Sequence, residues 1–140
     1  NKNSSKVFCL LGDGECQEGS VWEAASIAAH YKLENLVVII DNNGWQAIKE
    51  TKATQNIEPL GKRWQAFGWR VVIVNGHDYK ELLKVMDTNI GLPGQPLCII
   101  ARTVKGKGIS FMENNNLWHY RNPTLEEFQK GIIELEGSTL

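Results

Sequence analysis

Four short apolar runs punctuate this chain, and each stops where small or polar residues begin. Val7-Phe8-Cys9-Leu10-Leu11 ends at Gly12, Leu36 to Ile40 at Asp41, Arg70 to Val74 at Asn75, and Leu97 to Thr103 runs into a glycine-rich loop. Apolar runs that do not alternate with polar residues mark strands covered on both faces. Helical signals lie between them. Ser20 and Glu23 have capping-box spacing ahead of an alanine-rich stretch that reaches about Lys32. Pro59 to Phe67 suits a short helix. Asp78 and Glu81 suit the start of another, ending near Asn89, and Pro123-Thr124 with Glu127 opens the last. Asp41 to about Glu58 and Val104 to Asn122 read as loops.

Strands that alternate with helices build βαβ units. The expected fold class is therefore α/β, a doubly wound and mostly parallel sheet with helices on both faces. The 140 residues suit part of a single domain. The chain enters its first strand almost at once, with neither an initiating Met nor a signal-peptide pattern, so we expect a split subunit or a fragment of something larger. In such sheets ligands bind beyond the carboxyl ends of the strands. Chemistry is expected just after Leu11, Ile40, Val74 and Thr103.

Charge and composition remove several classes of function. With 15 basic and 16 acidic residues, the formal charge of -1 gives no general attraction to nucleic acid or to an anionic membrane. No apolar run is long enough to span a bilayer. Cys9, Cys16 and Cys98 are too few for a disulfide scaffold and have no zinc spacing. Cys9 and Cys98 sit in apolar runs and read as buried thiols. The expected location is cytoplasmic, with neither nucleic acid nor membrane as partner.

The strongest chemical signal follows the first strand, in Gly12-Asp13-Gly14-Glu15-Cys16-Gln17-Glu18-Gly19. The spacing is neither GxGxxG nor a Walker A loop. Asp13 would repel a bare phosphate. A divalent cation removes the conflict, because Mg²⁺ commonly bridges one or two protein oxygens to phosphate oxygens. The second strand ends in Asp41-Asn42-Asn43. If the two strands are neighbours, their ends lie ~5 Å apart, and Asp13 and Asn43 face one cation. A carboxylate, an amide oxygen and a carbonyl are hard donors suited to Mg²⁺ or Ca²⁺. The alternative is a tight turn followed by ordinary polar residues at a strand end.

Gly12-Asp13-Gly14, about thirty residues and then Asn43 resembles the thiamine-diphosphate signature. The wording from Gly12 to Ala25, Leu33-Glu34-Asn35-Leu36 and Asp41 to Gln46 resembles the transketolase family more narrowly. So do Phe67-Gly68-Trp69, Gly76-His77-Asp78 and Lys105-Gly106-Lys107-Gly108. The resemblance covers almost the whole chain and implies part of a diphosphate-binding domain. It implies Mg²⁺–thiamine diphosphate as cofactor, with Ca²⁺ as a substitute. Asp13 and Asn43 are implied as metal ligands through their side chains, and Trp45 through its carbonyl. Gly14 is implied to donate its N–H to the diphosphate, with Gly12 and Glu15 in the same cofactor-binding turn. Glu18 resembles a glutamate that links two active sites across a subunit interface through a proton path. His119 resembles a histidine that touches sugar substrates, although Tyr120 and Arg121 stand where the family usually has a glycine next.

The implied activity is transfer of a two-carbon ketol unit from a ketose to an aldose, with a sugar or sugar phosphate as substrate. The implied partner is a pyrimidine-binding domain or subunit, in a homodimer or heterotetramer. The alternatives are a subunit of another thiamine-diphosphate enzyme, such as a 2-oxoacid dehydrogenase or decarboxylating ligase, and a non-catalytic assembly subunit. Elsewhere, His30 and His77 read as structural residues. Lys105 and Lys107 suit either an anion site or a solvated loop, and Arg121 a surface ion pair. Trp22, Trp64 and Trp69 suit packing.

Overall fold

Val7 pairs with Leu36 at the start of a parallel ladder that ends with Gly12 opposite Asp41. These strands, β1 (Val7–Gly12) and β2 (Leu36–Asn42), flank helix α1 (Gly19–His30) in sequence. Helices α2 (Thr51–Thr54) and α3 (Leu60–Ala66) precede β3 (Arg70–Asn75). Helix α4 (Tyr79–Asn89) then leads to β4 (Leu97–Arg102), and α5 (Leu125–Gly137) ends the described chain. Single 3-10 turns occupy Gly14–Gln17 and Asn116–His119. The structure is a computed structural model that describes residues 5–90 and 93–137. The sheet order is β1-β2-β4-β3, and every pair is parallel.

Side chains alternate across a sheet, so a central strand feeds two cores. Val38 and Ile40 of β2 join Cys98 and Ile100 of β4 on one face, where α1 adds Ala25 and Ala28 and α3 adds Leu60 and Trp64. Val37, Leu97, Ile99 and Ala101 point to the other face and meet Val85 of α4. The fold is the expected α/β arrangement with helices on both faces. Trp64 and Trp69 meet edge to face at 4.8 Å, a geometry worth ~0.5–1.5 kcal/mol beyond the area it buries. The Trp69 indole also donates to the carbonyl of Ala25 at 2.9 Å and ties α1 to the start of β3.

Three local expectations need correction. β1 is not covered on both faces, for Phe8 is 51% and Leu10 72% exposed. It is one of two edge strands among the described residues, and α4 covers the other edge by packing over β3 and β4. Cys9 is exposed for the same reason, whereas Cys98 on the central β4 is buried. Ser20 does not cap α1. The helix begins at Gly19, with Glu18 at the cap position and no side-chain bond there. Asp78 does cap α4, accepting from Lys80 and Glu81, but the Glu81 carboxylate turns to the N–H of Asn75. The Thr124–Glu127 pair forms a reciprocal box, with bonds of 3.3 and 2.8 Å.

Candidate functional site

Because β1 and β2 end side by side, the loops that follow leave from neighbouring points on the sheet's carboxyl edge. After Gly12 the chain tightens into the turn Gly14–Gln17, and the Asp13 side chain turns inward to 2% exposure. Its Oδ2 accepts from the N–H of Gly44 at 2.7 Å and from the Asn42 amide at 3.4 Å. Its Oδ1 accepts from the Thr51 hydroxyl at 2.8 Å. Gly44 has φ of 80°, a conformation that glycine takes without strain and that turns its N–H back toward Asp13.

Among the described residues no basic side chain pairs with this carboxylate. Desolvation holds its carboxyl above the usual carboxylate range. The Thr51 hydroxyl and the N–H groups of Gly44 and Gly14 pull it down, and the nearby charge of Asp41 pushes it up. A buried carboxylate without a counter-charge is costly.

Asp41 orients the next amide. One of its oxygens accepts from the Thr103 hydroxyl and the other from Asn43 Nδ2, the latter at 3.0 Å. Asn43 Oδ1 then accepts from the N–H of Trp45 at 2.8 Å. The amide in contact with Asp13 is thus that of Asn42, while Asn43 is fixed by Asp41 and Trp45. Glu15 folds back so that its carboxylate accepts the Gly12 N–H at 2.6 Å. A Cβ on Gly14 would lie 2.8 Å from Gln46 Oε1, so a side chain there would displace Gln46. The Nε2 of Gln46 is buried without a hydrogen-bond partner among the described residues. Asp13, Asn42, Gly44, Trp45, Thr51 and Asn114 all line one cavity of about 420 Å³.

Asn114 brings the loop after β4 to this cavity, and the Asn116 amide donates to the carbonyl of Ala47 at 3.1 Å. His119 ends the 3-10 turn beyond it, exposed, with Nδ1 at 3.4 Å from Lys105 Nζ. Arg121 stacks 4.4 Å over Trp118 and pairs with Glu127, so it is engaged on the surface. His77 accepts the Val104 N–H at 2.8 Å and anchors the loop's first residues. Lys107 pairs with Glu113 at 3.0 Å. Glu18 is exposed at the start of α1. Sequence reasoning missed Gln17 and Thr51. The Gln17 amide donates to the carbonyls of both Thr51 and Gln55 at 2.9 Å. Thr51 lay in a polar stretch with no pattern to mark it.

Residues 1–127 match the family described as transketolase, thiamine diphosphate binding domain. The chain belongs to that family. Among curated transketolases, the human enzyme is 44% identical over 134 residues, covering 96% of this chain and 21% of its own length. One subunit of the apulose-4-phosphate transketolase of Phocaeicola vulgatus is 38% identical over 135 residues, covering 96% of this chain and 48% of that protein. The chain thus spans about half of such subunits and about a fifth of full-length transketolases. The crystal structure of Campylobacter jejuni transketolase superposes with a TM-score of 0.87 at 32% identity, covering 95% of this chain and 21% of that one.

Proposed function

We propose that this chain supplies the diphosphate- and metal-binding part of a transketolase active site, within an enzyme that moves a two-carbon ketol unit from a ketose to an aldose. The observation that carries the reading is Asp13, a buried carboxylate without a basic partner among the described residues, beside a glycine turn where β1 and β2 end together. That donor set fits Mg²⁺, with Ca²⁺ as a substitute, since both prefer oxygen ligands. Asp13 and Asn43 would hold the ion through their side chains and Trp45 through its carbonyl. The Gly14 N–H would donate to the diphosphate, within the turn that Gly12 and Glu15 brace.

When bound, thiamine diphosphate supplies the nucleophilic carbon and the electron sink for cleavage beside a carbonyl. The protein's task is then to hold the diphosphate, orient the substrate and exclude water. His119 beside Lys105 would contact a sugar or sugar phosphate at the carboxyl edge. Glu18, exposed ahead of α1, would lie at a subunit interface. The pyrimidine end of the cofactor needs a separate pyrimidine-binding domain or subunit, in a homodimer or heterotetramer. The Phocaeicola vulgatus relative is named for a sugar phosphate and as one subunit of its enzyme, which favours a split enzyme with a sugar-phosphate substrate. We place the enzyme in the cytoplasm; among the described residues no helix is long and apolar enough to cross a membrane.

The test is to titrate thiamine diphosphate into the protein with and without Mg²⁺, then to measure ketol transfer with the candidate partner present. Tight binding only with Mg²⁺, and turnover only with the partner, is the expected result. Binding that ignores Mg²⁺ would overturn the metal assignment.

A further inference from the structure

Asp13, Gly44 and Thr51 close a ring of hydrogen bonds. The Gly44 N–H donates to Asp13 Oδ2 at 2.7 Å, the Thr51 N–H donates to the Gly44 carbonyl at 2.9 Å, and the Thr51 hydroxyl donates to Asp13 Oδ1 at 2.8 Å. Thr51 is 5% exposed, opens α2 and lines the same cavity as Asp13. The Gln17 amide clamps the ring from outside by donating to the carbonyls of Thr51 and Gln55. Both carboxylate oxygens are thereby held, Oδ2 by Gly44 in the loop after β2 and Oδ1 by Thr51 at the start of α2. A carboxylate oxygen can accept more than one partner, so a fixed carboxylate still has lone pairs to offer an ion in the cavity.

We propose that Thr51 is the positioning residue of the metal site, aiming the Asp13 carboxylate and coupling ion binding to the closed arrangement of residues 44–55. The inference rests on the reading of Asp13 as a Mg²⁺ ligand. It goes further by giving a task to a residue outside the glycine turn and outside the strand ends. Thr51 would not touch the ion. It would fix the carboxylate's rotation, because Gly44 and Asn42 both hold Oδ2 and Thr51 holds Oδ1. Such outer partners typically change metal affinity by ~10–100-fold when removed.

The experiment compares Thr51→Val, which keeps the shape and removes the donor, with Thr51→Ser, which keeps the donor. Mg²⁺ is titrated at saturating thiamine diphosphate into the full chain assembled with its partner, and binding is read by calorimetry and by intrinsic tryptophan fluorescence. We expect Thr51→Val to need ~10–100-fold more Mg²⁺ and Thr51→Ser to stay near wild type. Thermal melts confirm that each variant is folded; if Thr51→Val does not fold, Thr51→Ala removes the same hydroxyl with less bulk. A folded, hydroxyl-free variant with the wild-type Mg²⁺ midpoint would overturn this inference alone. A wild-type protein whose cofactor binding ignores Mg²⁺ would overturn the metal reading and this inference together.

Discussion

Oδ2 of Asp13 lies 2.7 Å from the backbone N–H of Gly44, although 31 residues separate them in sequence. The contact joins the turn after β1 to the loop after β2. It forms only because the sheet sets Gly12 opposite Asp41. The site is therefore as well defined as the ladder beneath it.

Asp13→Asn should nearly abolish Mg²⁺-dependent cofactor binding, with an affinity loss above ~100-fold, since it removes the charged ligand itself rather than an outer partner. Without Mg²⁺ the same variant should be the more stable protein. The folded carboxyl titrates above its ordinary 3.8, so the native state holds the proton more tightly than the unfolded chain. That contribution is present below pH 3.8 and is lost as pH rises through the folded value. At neutral pH the metal-free wild type carries the penalty and the asparagine does not. A rise of ~2–4 °C in melting temperature matches ~1 kcal/mol in a domain of this size. Melts of both proteins at pH 4 and pH 7 check the sign, and a variant that melts lower at pH 7 would contradict it.

Thiol chemistry should separate the three cysteines. Burial, aided by the negative charge of Asp13, pushes the Cys16 thiol up to about 12, and burial raises Cys98 as well. Cys9 is exposed on the outer strand. A thiol reagent at pH 8 should label Cys9 rapidly in the isolated chain and reach the other two only on unfolding. The same shift makes the protein lose stability in alkali. The unfolded chain releases the Cys16 proton from 9.0 upward, while the folded chain keeps it until about 12. Rapid labelling of all three in the native state would defeat the prediction.

Glu18→Gln keeps the size of the side chain and removes its ionisable proton. No side-chain cap at α1 depends on Glu18, so the melting temperature should move by less than ~1–2 °C, within the usual range for a surface change. Cofactor affinity should hold while the turnover of the assembled enzyme falls. Full turnover in the variant would remove Glu18 from any proton path. Dissociation of the assembly would show a purely structural role.

The loop after β4 should divide substrate effects from cofactor effects. His119→Ala should raise KM for the sugar substrate with little change in cofactor affinity. Arg121→Ala should reproduce part of that effect from a distance, because Arg121 fastens the loop to Trp118 and to Glu127 at the start of α5. The ring contact and the ion pair are half-buried and lie outside the two cores of the sheet, so the fold itself should hold. Unchanged KM in both variants would mean that this loop packs without meeting substrate.

How much of this was legible in the sequence depended on whether a residue's task is periodic, motif-borne or tertiary. The four strands, their parallel direction and the Thr124–Glu127 box follow from local pattern, and the structure has them. The pattern at Val7 to Leu11 shows an apolar strand but not its neighbours, so the exposure of Phe8 and Leu10 was out of reach. Asp13 stood out because a carboxylate in a glycine turn has few uses. Thr51 did not, because its partner is 38 residues away and a threonine in a polar stretch carries no spacing signal. Asn42 and Asn43 are adjacent amides, and only the turn at Gly44 decides which of them meets Asp13.

Among the described residues β1 is hydrogen-bonded along one side only, to β2. Nothing on its other side in the described chain opposes a slip along the ladder. A shift of one residue would move Asp13 by ~3.3 Å and turn its side chain to the opposite face of the sheet. The cation proposed between the two loops would then lose its main ligand. In the described chain, binding it would act as a pin through an outer slat, holding the strand in the one alignment that presents the carboxylate. The metal would thus stabilise the fold by proofreading strand register, and hydrogen exchange along Val7–Gly12 should slow when it binds.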